Sequence, residues 1–208
     1  MFWSFKIADN ADNTATGQSI GLHRDAVDAH HRFENVQIDG MPLDLSHLEA
    51  FALRLDPGLG FEVDVVVLFS CHCFTHSILA DHRAETEIPG AEIFDNGRER
   101  RVLDIERYHL STQHLVSIVR DLHQRTIQVA GADAPNFMTF EFIDADQVTK
   151  TYAVFFEVEK DSRRKRRLLL RIQSAYILDD LTQRQKKAGK VRFSVLLKAA
   201  YEGRRIRG

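Results

Sequence analysis

The spacing of apolar residues predicts both strands and helices along the chain. Phe61 to Phe69 (FEVDVVVLF) is apolar and rich in β-branched residues, which is typical of a buried strand. From Ser111 to Arg125 the apolar residues recur at helical spacing, and Ser111 is available as an N-cap. The stripe consists of Leu115, Ile118, Val119 and Leu122. We therefore predict one buried strand followed by an amphipathic helix.

Two further helices are predicted before that strand. Ser46 and Glu49 have the spacing of a capping box, and the apolar face that follows ends at Asp56-Pro57-Gly58. This face comprises Leu48, Phe51, Ala52 and Leu55. A short helix is also expected between Ser19 and Phe33, after a polar loop over residues 8 to 18.

After residue 125 the apolar period changes from 3.6 to 2, which predicts strands with one apolar face. Short polar links favour an antiparallel meander covered by the Ser111 helix. The predicted fold class is α+β, with a meander sheet of four to five strands, a covering helix and a mixed N-terminal extension. Residues 1–60 are expected to form this mostly helical or irregular extension, and residues 61–208 the core domain with its basic C-terminal part. The strands are Thr126–Ala130, Phe137–Ile143, Thr151–Glu159, Leu168–Leu178 and Val191–Leu197.

Composition fits a folded protein without membrane spans. The 208 residues are 44% hydrophobic and 28% charged, which is enough to bury a core. No apolar run reaches the roughly 20 residues that cross a bilayer, and the first residues lack the pattern of a secretory signal. Only Cys71 and Cys73 occur, one residue apart, which is a poor disulfide framework. A reducing cytoplasm is the predicted compartment, with no membrane partner.

Charge is segregated along the chain. Residues 1–159 contain 12 Lys/Arg and 26 Asp/Glu, whereas residues 160–208 contain 16 Lys/Arg and 4 Asp/Glu. An acidic body with a basic last quarter suggests nucleic acid, an anionic surface or an acidic protein as partner.

The densest positive segment is predicted to be a turn between two strands. Five consecutive cations repel one another unless an anion relieves them, so RNA or DNA binding is predicted here and at the basic chain end. The predicted nucleic-acid-binding residues are Arg163, Arg164, Lys165, Arg166, Arg167, Arg192, Arg204 and Arg205. Two alternatives remain open: a basic tip that only aids solubility, or docking on the acidic part of the same or another copy.

Histidines and cysteines form the segment with the most chemical potential. Cys71, Cys73, His76 and His82 offer zinc-ligand atoms, but C-x-C-x2-H-x5-H is not a standard structural zinc pattern. We expect no metal or cofactor, cysteines that pack as small apolar residues, and His72 or His76 as a general base.

A second candidate group stands before the predicted helix. Arg107, Tyr108 and His109 would precede the Ser111 N-cap, where free backbone N–H groups attract anions. Alternatively, Tyr108 packs the helix onto the sheet and His109 stays in solvent.

One helix followed by a meander that ends in Ser174-Ala175-Tyr176 resembles the barnase–EndoU–colicin–RelE class of metal-independent ribonucleases, many of them toxins, over residues 105–200. The resemblance implies cleavage by the RNA 2′-hydroxyl, without a metal. A histidine would take the proton, Arg171 or Arg192 would stabilise charge on the phosphate, and Ser174 or Tyr176 would position the substrate. The catalytic residues expected are His72, His109, Arg171, Ser174 and Tyr176, although His114 and His123 compete for the helical role. Ser174 and Tyr176 share the strand phase of the apolar residues.

Three functional hypotheses follow. The first is a protein that acts on nucleic acid, most concretely a toxin-like ribonuclease from a mobile element. The second is a non-catalytic protein that binds nucleic acid or an acidic partner, and the third is a homo-oligomer in which acidic and basic parts meet. A P-loop, a dinucleotide glycine fingerprint and an HExxH helix are absent from the sequence.

Overall fold

The computed structural model describes residues 17–22, 24–28, 31–33, 36–38, 40–129 and 135–206. Its centre is an eight-stranded mixed sheet, larger than the four to five strands predicted, with helices packed against one face. The fold therefore combines α and β structure around one large sheet. The strands of the described chain are β1 (Gln18–Ile20), β2 (Gln37–Ile38), β3 (Met41–Pro42), β4 (Phe51–Leu55), β5 (Val63–Phe69), β6 (Thr75–Ser77), β7 (Ile93–Asp95), β8 (Arg100–Leu103), β9 (Thr126–Val129), β10 (Asn136–Ile143), β11 (Thr149–Lys160), β12 (Arg167–Leu178) and β13 (Gly189–Arg192).

The large sheet has the order β1-β4-β5-β12-β11-β10-β9-β13. Strands β9 to β12 form the predicted antiparallel meander. Strand β5 lies beside β12, although the two strands are far apart in the sequence. They pair in parallel, from Asp64 opposite Arg167 to Phe69 opposite Ile172. Val65 and Val66 are both buried although they point to opposite faces. This burial on both sides explains the nearly continuous apolar run of the strand.

One continuous helical segment covers the sheet. It runs from α1 (Ile105–Leu110) through the π-helical Ser111–Leu115 and α2 (Val116–Arg120) to the 3-10 turn Asp121–Gln124. The predicted helix is confirmed, and its four-residue apolar stripe is buried in the main core. Its predicted start is wrong: the Asp104 side chain caps the helix by accepting from the Arg107 N–H, and Ser111 lies buried inside the segment.

The helix predicted after Ser46 is wrong. Ser46–Leu48 is a 3-10 turn, and β4 follows it, paired with β1 on one side and β5 on the other. Ala52 and Leu53 are buried on opposite faces, since they belong to different core clusters. Pairing with two neighbours and burial on both faces outweigh the local helical spacing.

The strand predicted at Val191–Leu197 is also wrong. Strand β13 ends at Arg192, and helix α4 (Phe193–Tyr201) follows, after the short helix α3 (Gln183–Lys186). Phe193, Leu196 and Leu197 are buried at i, i+3 and i+4. The alternation of Val191, Phe193, Val195 and Leu197 coincided with this helical face, but Val195 is exposed.

The N-terminal part contributes to the main sheet. Instead of the helix predicted at Ser19–Phe33, the described residues contain β1 and the 3-10 turn Arg24–Ala26. Ala26 packs with Val66 and Leu68 on the sheet face opposite the helical segment. The domain boundary predicted at residues 60 and 61 thus falls between β4 and β5, two paired strands. Most of the predicted loop over residues 8 to 18 lies outside the described residues.

Two small sheets complete the described structure, β2-β3 and β6-β8-β7. Within the described ranges, no helix combines the length and apolar character needed to cross a membrane.

Candidate functional site

The histidine–cysteine block begins where β5 ends. The Ser70 hydroxyl accepts a hydrogen bond from the His72 N–H at 3.1 Å and starts the 3-10 turn Cys71–Cys73. The turn buries Cys71 and Cys73 and leaves the His72 side chain 35% exposed. Local capping therefore points His72 outward between two inward thiols.

Glu99, immediately before β8, joins this turn. Its Oε1 accepts from Cys71 Sγ at 3.1 Å, and its Oε2 lies 2.9 Å from His72 Nε2. Arg101 Nη1 lies 3.6 Å from the same Oε2, and Arg101 Nε donates to Thr75 Oγ1 at 2.8 Å. One carboxylate thus holds a thiol, an imidazole and a guanidinium together.

Burial and hydrogen bonding act differently on the ionisable groups here. Burial, followed by the hydrogen bond to Glu99, raises the pKa of Cys71 to about 12. Burial raises the pKa of Cys73 to about 12 as well. Burial opposes the charge of Glu99, but hydrogen bonds from His72 and Cys71 and the charge of Arg101 outweigh it and lower its pKa. Without a bound ion, the thiols are therefore protonated in this arrangement.

The four ligands considered in the sequence are not brought together. Both ring nitrogens of His76 face carboxylates, with Nε2 3.0 Å from Asp81 and Nδ1 3.2 Å from Asp104. The His82 side chain is 90% exposed. In the described part of the chain, the group whose ligand atoms do converge is Cys71, His72 and Glu99.

The anion site predicted before Ser111 is wrong. Arg107, Tyr108 and His109 lie inside α1, so their backbone groups belong to a helix that Asp104 already caps. Arg107 Nη1 instead donates to the carbonyls of His72 (3.2 Å) and Thr75 (2.9 Å), and its guanidinium carbon lies 4.7 Å from the centre of the Tyr176 ring. Arg107 therefore connects the helix to the histidine–cysteine turn and to β12.

A β-bulge changes the position of Ser174 and Tyr176. Phe155 pairs with Ser174 and Phe156 with Ile172, so Gln173 is an extra residue in β12. The side-chain phase inverts there, and Tyr176 packs with Phe137 and Phe155 on the face opposite the helical segment. The prediction that both residues keep the phase of Leu168 and Leu170 is wrong.

The five predicted catalytic residues do not form one site. Arg171 donates to Glu159 at 2.8 Å and contacts His31 Nε2 at 3.0 Å, and it lies roughly 15 Å along the strand from Tyr176. His109 is exposed and lies about 200° around the helix from Arg107, which stacks on Tyr176. Arg107 connects the His72 backbone carbonyl to the Tyr176 ring, and Ser174 lies on the same face of β12 as Tyr176.

The basic hairpin between β11 and β12 forms the predicted turn, but three of its five consecutive cations are paired within the chain. Arg167 is buried and contacts Asp161 at 2.6 Å and Asp25 at 3.0 Å. Arg164 lies 3.4 Å from Asp25 and Arg163 lies 3.7 Å from Asp28. We call these residues the Asp25 cluster: Asp25, Asp28, Asp161, Arg163, Arg164 and Arg167. The acidic and basic parts of the sequence thus meet inside one molecule.

The other side of the hairpin meets aromatic rings. The Arg166 guanidinium carbon lies 4.6 Å from the centre of the Phe61 ring, and Lys160 Nζ lies 4.5 Å from that of Tyr201. The two rings are 5.4 Å apart, edge to face. Lys198 Nζ donates to the Gly58 carbonyl at 3.4 Å, in the loop that leads to Phe61. We call Phe61, Lys160, Arg166, Lys198 and Tyr201 the basic–aromatic surface.

The remaining predicted binding residues differ in their surroundings. Lys165 is exposed on the hairpin, and Arg192 is exposed at the end of β13. Arg204 pairs with Glu202. Arg204 and Arg205 line a pocket of about 390 Å³ whose other charged residues, Glu157 and Glu159, oppose an anion.

The sequence does not indicate the roles of Glu99, Asp25 and the two rings. Glu99 is 27 residues from His72, and Asp25 is 142 residues from Arg167, so no local spacing connects either pair. Phe61 gave a signal, since it starts an apolar strand yet lies beyond its paired part, but a phenylalanine there also fits ordinary packing.

The chain belongs to the YjaZ family, whose model matches residues 35–201. This range contains the basic–aromatic surface and the Cys71–Glu99 contacts but excludes Asp25 and Asp28. Neither a curated protein nor a solved structure matches the chain.

Proposed function

We propose that this member of the YjaZ family binds single-stranded nucleic acid on the basic–aromatic surface and does not cleave it. The observation that supports this is the convergence of two aromatic rings and three cations from separate parts of the chain. Proteins that bind single-stranded nucleic acid usually combine cations and aromatic rings, because the cations bind phosphates and the rings stack with bases.

The interaction energies favour replacement of the cation over each ring by a nucleic-acid base. Both rings are half-buried, and a cation over a ring at a solvent-exposed site contributes roughly 0.5–1 kcal/mol. A stacked base contributes roughly 1–3 kcal/mol. A base that replaces Arg166 over Phe61, or Lys160 over Tyr201, gains the difference and releases the cation to contact phosphate. The cation–ring contacts of the free protein therefore hold the rings and the cations at the positions that base stacking and phosphate binding need.

The positions of the predicted catalytic residues support binding without cleavage. Arg171 is held by Glu159 and His31, and His109 lies on the solvent side of α1. Cleavage through the 2′-hydroxyl needs a base and a cation near the same phosphate. Among the described contacts, the basic–aromatic surface supplies cations but no histidine that could act as the base.

The test measures binding of labelled single-stranded RNA and DNA by fluorescence anisotropy, and cleavage on a gel in EDTA. Phe61→Leu keeps most of the apolar volume but removes the ring, and we expect it to weaken binding roughly 5- to 150-fold, the equivalent of one lost stack. Arg98→Ala removes an exposed cation elsewhere and serves as the control. Poly-aspartate of equal charge tests whether stacking matters, since it has no bases.

Each outcome decides a part of the proposal. Wild-type binding that Phe61→Leu weakens and Arg98→Ala does not supports the site. Equal affinity for RNA and poly-aspartate would instead assign the surface to an acidic protein partner. Cleavage in EDTA would contradict the absence of turnover and restore the ribonuclease hypothesis.

A further inference from the structure

The turn after β5 and the start of β8 bring three metal-ligand atoms together. Cys71 Sγ, His72 Nε2 and a Glu99 carboxylate oxygen all lie within 4.8 Å of one another. We propose that these three side chains bind a divalent transition-metal ion of the zinc type, with a fourth position open to solvent. This site is separate from the basic–aromatic surface and does not depend on nucleic-acid binding.

The spacing of the ligand atoms suits a tetrahedral ion. Bonds of about 2.3 Å to sulfur and about 2.0 Å to nitrogen and oxygen place neighbouring ligand atoms roughly 3.3–3.6 Å apart. In the protein, Cys71 Sγ lies 3.1 Å from Glu99 Oε1, and His72 Nε2 lies 2.9 Å from Glu99 Oε2. Each contact is a few tenths of an ångström shorter than the distance between neighbouring ligands of the ion, and all three ligand atoms lie within 4.8 Å of one another.

The backbone around these ligands is fixed by hydrogen bonds. Thr75 Oγ1 donates to the Cys71 carbonyl at 2.8 Å, and Asn96 Oδ1 accepts from the Glu99 N–H at 3.1 Å. Arg101, 3.6 Å from the carboxylate, occupies the position of an outer partner that orients a ligand. Both chain segments are thus held before any ion arrives.

The ligand types indicate which ion fits. Thiolate and imidazole select zinc and related transition metals over magnesium and calcium, which prefer oxygen ligands only. Binding forms a metal–sulfur bond and releases the Cys71 proton to solvent, and the ion takes the place of the hydrogen bonds that now join Glu99 to Cys71 and His72. The partly exposed His72 and Glu99 leave an entry path.

Cobalt(II) is the probe, because its absorption reports ligand type and geometry. Chelator-treated full-length protein is titrated with Co²⁺, and Zn²⁺ is then added in competition. We expect one equivalent of Co²⁺ with a thiolate charge-transfer band and the visible bands of four-coordinate Co²⁺. Cys71→Ala should lose the charge-transfer band, and Glu99→Gln should bind at least about 100-fold more weakly, since loss of an outer partner alone costs 10–100-fold.

Cys73→Ala is the matched control, because it removes the neighbouring buried thiol and leaves all three ligands. It should keep the charge-transfer band and the affinity. Circular dichroism checks that each variant is folded, and the conservative Glu99→Gln keeps the test informative if Cys71→Ala is not. Absence of stoichiometric Co²⁺ binding by the wild type, or a charge-transfer band that survives in Cys71→Ala, would overturn the site.

Discussion

The two sides of the β11–β12 hairpin carry the same types of residue in different electrostatic situations. On one side, Arg163, Arg164 and Arg167 face Asp25, Asp28 and Asp161. On the other side, Arg166 and Lys160 face the rings of Phe61 and Tyr201. Of the five consecutive cations, three thus belong to a structural ion-pair cluster and Arg166 to a surface suited to an external anion. Whether a cation is available to a partner depends on which segment lies beside it and not on its place in the run.

The largest expected effect is a difference in the free energy of unfolding between alanine variants of Arg167 and Arg166. Arg167→Ala leaves the buried Asp161 carboxylate without its partner at 2.6 Å, which we expect to cost about 3–5 kcal/mol in the free energy of unfolding. Arg166→Ala removes one cation–ring contact and should cost less than about 1 kcal/mol. Urea unfolding measures both. Equal losses would contradict the division of the hairpin.

The same division predicts the salt dependence of nucleic-acid binding. Removing both cations of the aromatic side, with Lys160→Ala and Arg166→Ala together, should reduce the slope of log affinity against log salt by about 1.4, the contribution of two phosphate contacts on a single strand. The pair Arg163→Ala and Arg164→Ala should change the slope much less, because their charges are already paired. Anisotropy titrations at several salt concentrations measure the slopes, and a larger effect from the second pair would reverse the assignment.

Removing an acid of the Asp25 cluster should make a cation that is now paired within the chain available to an external anion. Asp25→Asn leaves Arg164 without its carboxylate partner and should strengthen binding of single-stranded RNA roughly two- to fivefold at moderate salt. Glu106→Gln changes the net charge equally at an exposed position of α1 and is the matched control. If both variants strengthen binding to the same extent, net charge and not the cluster is responsible.

The smallest expected effect is an acid-dependent loss of stability. The hydrogen bond from Arg167, followed by the charges of Arg167 and Arg164, lowers the pKa of Asp25 from 3.8 to about 2. A carboxyl with a depressed pKa stabilises the fold above its ordinary pKa, and this stabilisation disappears as pH falls through the lowered value. Unfolding free energy should therefore decline between about pH 4 and about pH 2, and less steeply in Asp25→Asn. Urea unfolding over this range measures the slopes, and identical slopes would show that the cluster does not hold Asp25 ionised.

Much of the fold was predictable, because period-two alternation persists through β10, β11 and β12 and the Leu115–Leu122 stripe has only one helical face. The errors occurred where two periods fit equally well. Residues 51–55 match a helix when taken with Leu48, and residues 191–197 match a strand, and in both places the neighbouring elements decide. Gln173 gives no signal of its bulge, yet it inverts the side-chain phase of Ser174 and Tyr176.

The candidate sites were less predictable than the fold. The sequence drew attention to the histidine–cysteine block and to the basic hairpin, since both are unusual in composition. It did not indicate that Glu99 joins Cys71 to His72, that Asp25 neutralises part of the hairpin, or that Phe61 and Tyr201 lie side by side. Each of these contacts joins residues far apart in the chain, so only the folded sheet can create them.

By itself, the sequence determined the local elements with a single clear period, the turn at Arg163–Arg167 and the segregation of charge into an acidic body and a basic last quarter. These are properties of neighbours along the chain, where side-chain spacing and like-charge proximity are fixed by covalent structure. The tertiary structure decided the parallel pairing of β5 with β12, the division of the hairpin cations and the convergence of Cys71, His72 and Glu99. Those features depend on distances between remote segments, which are set only when the sheet and its core pack.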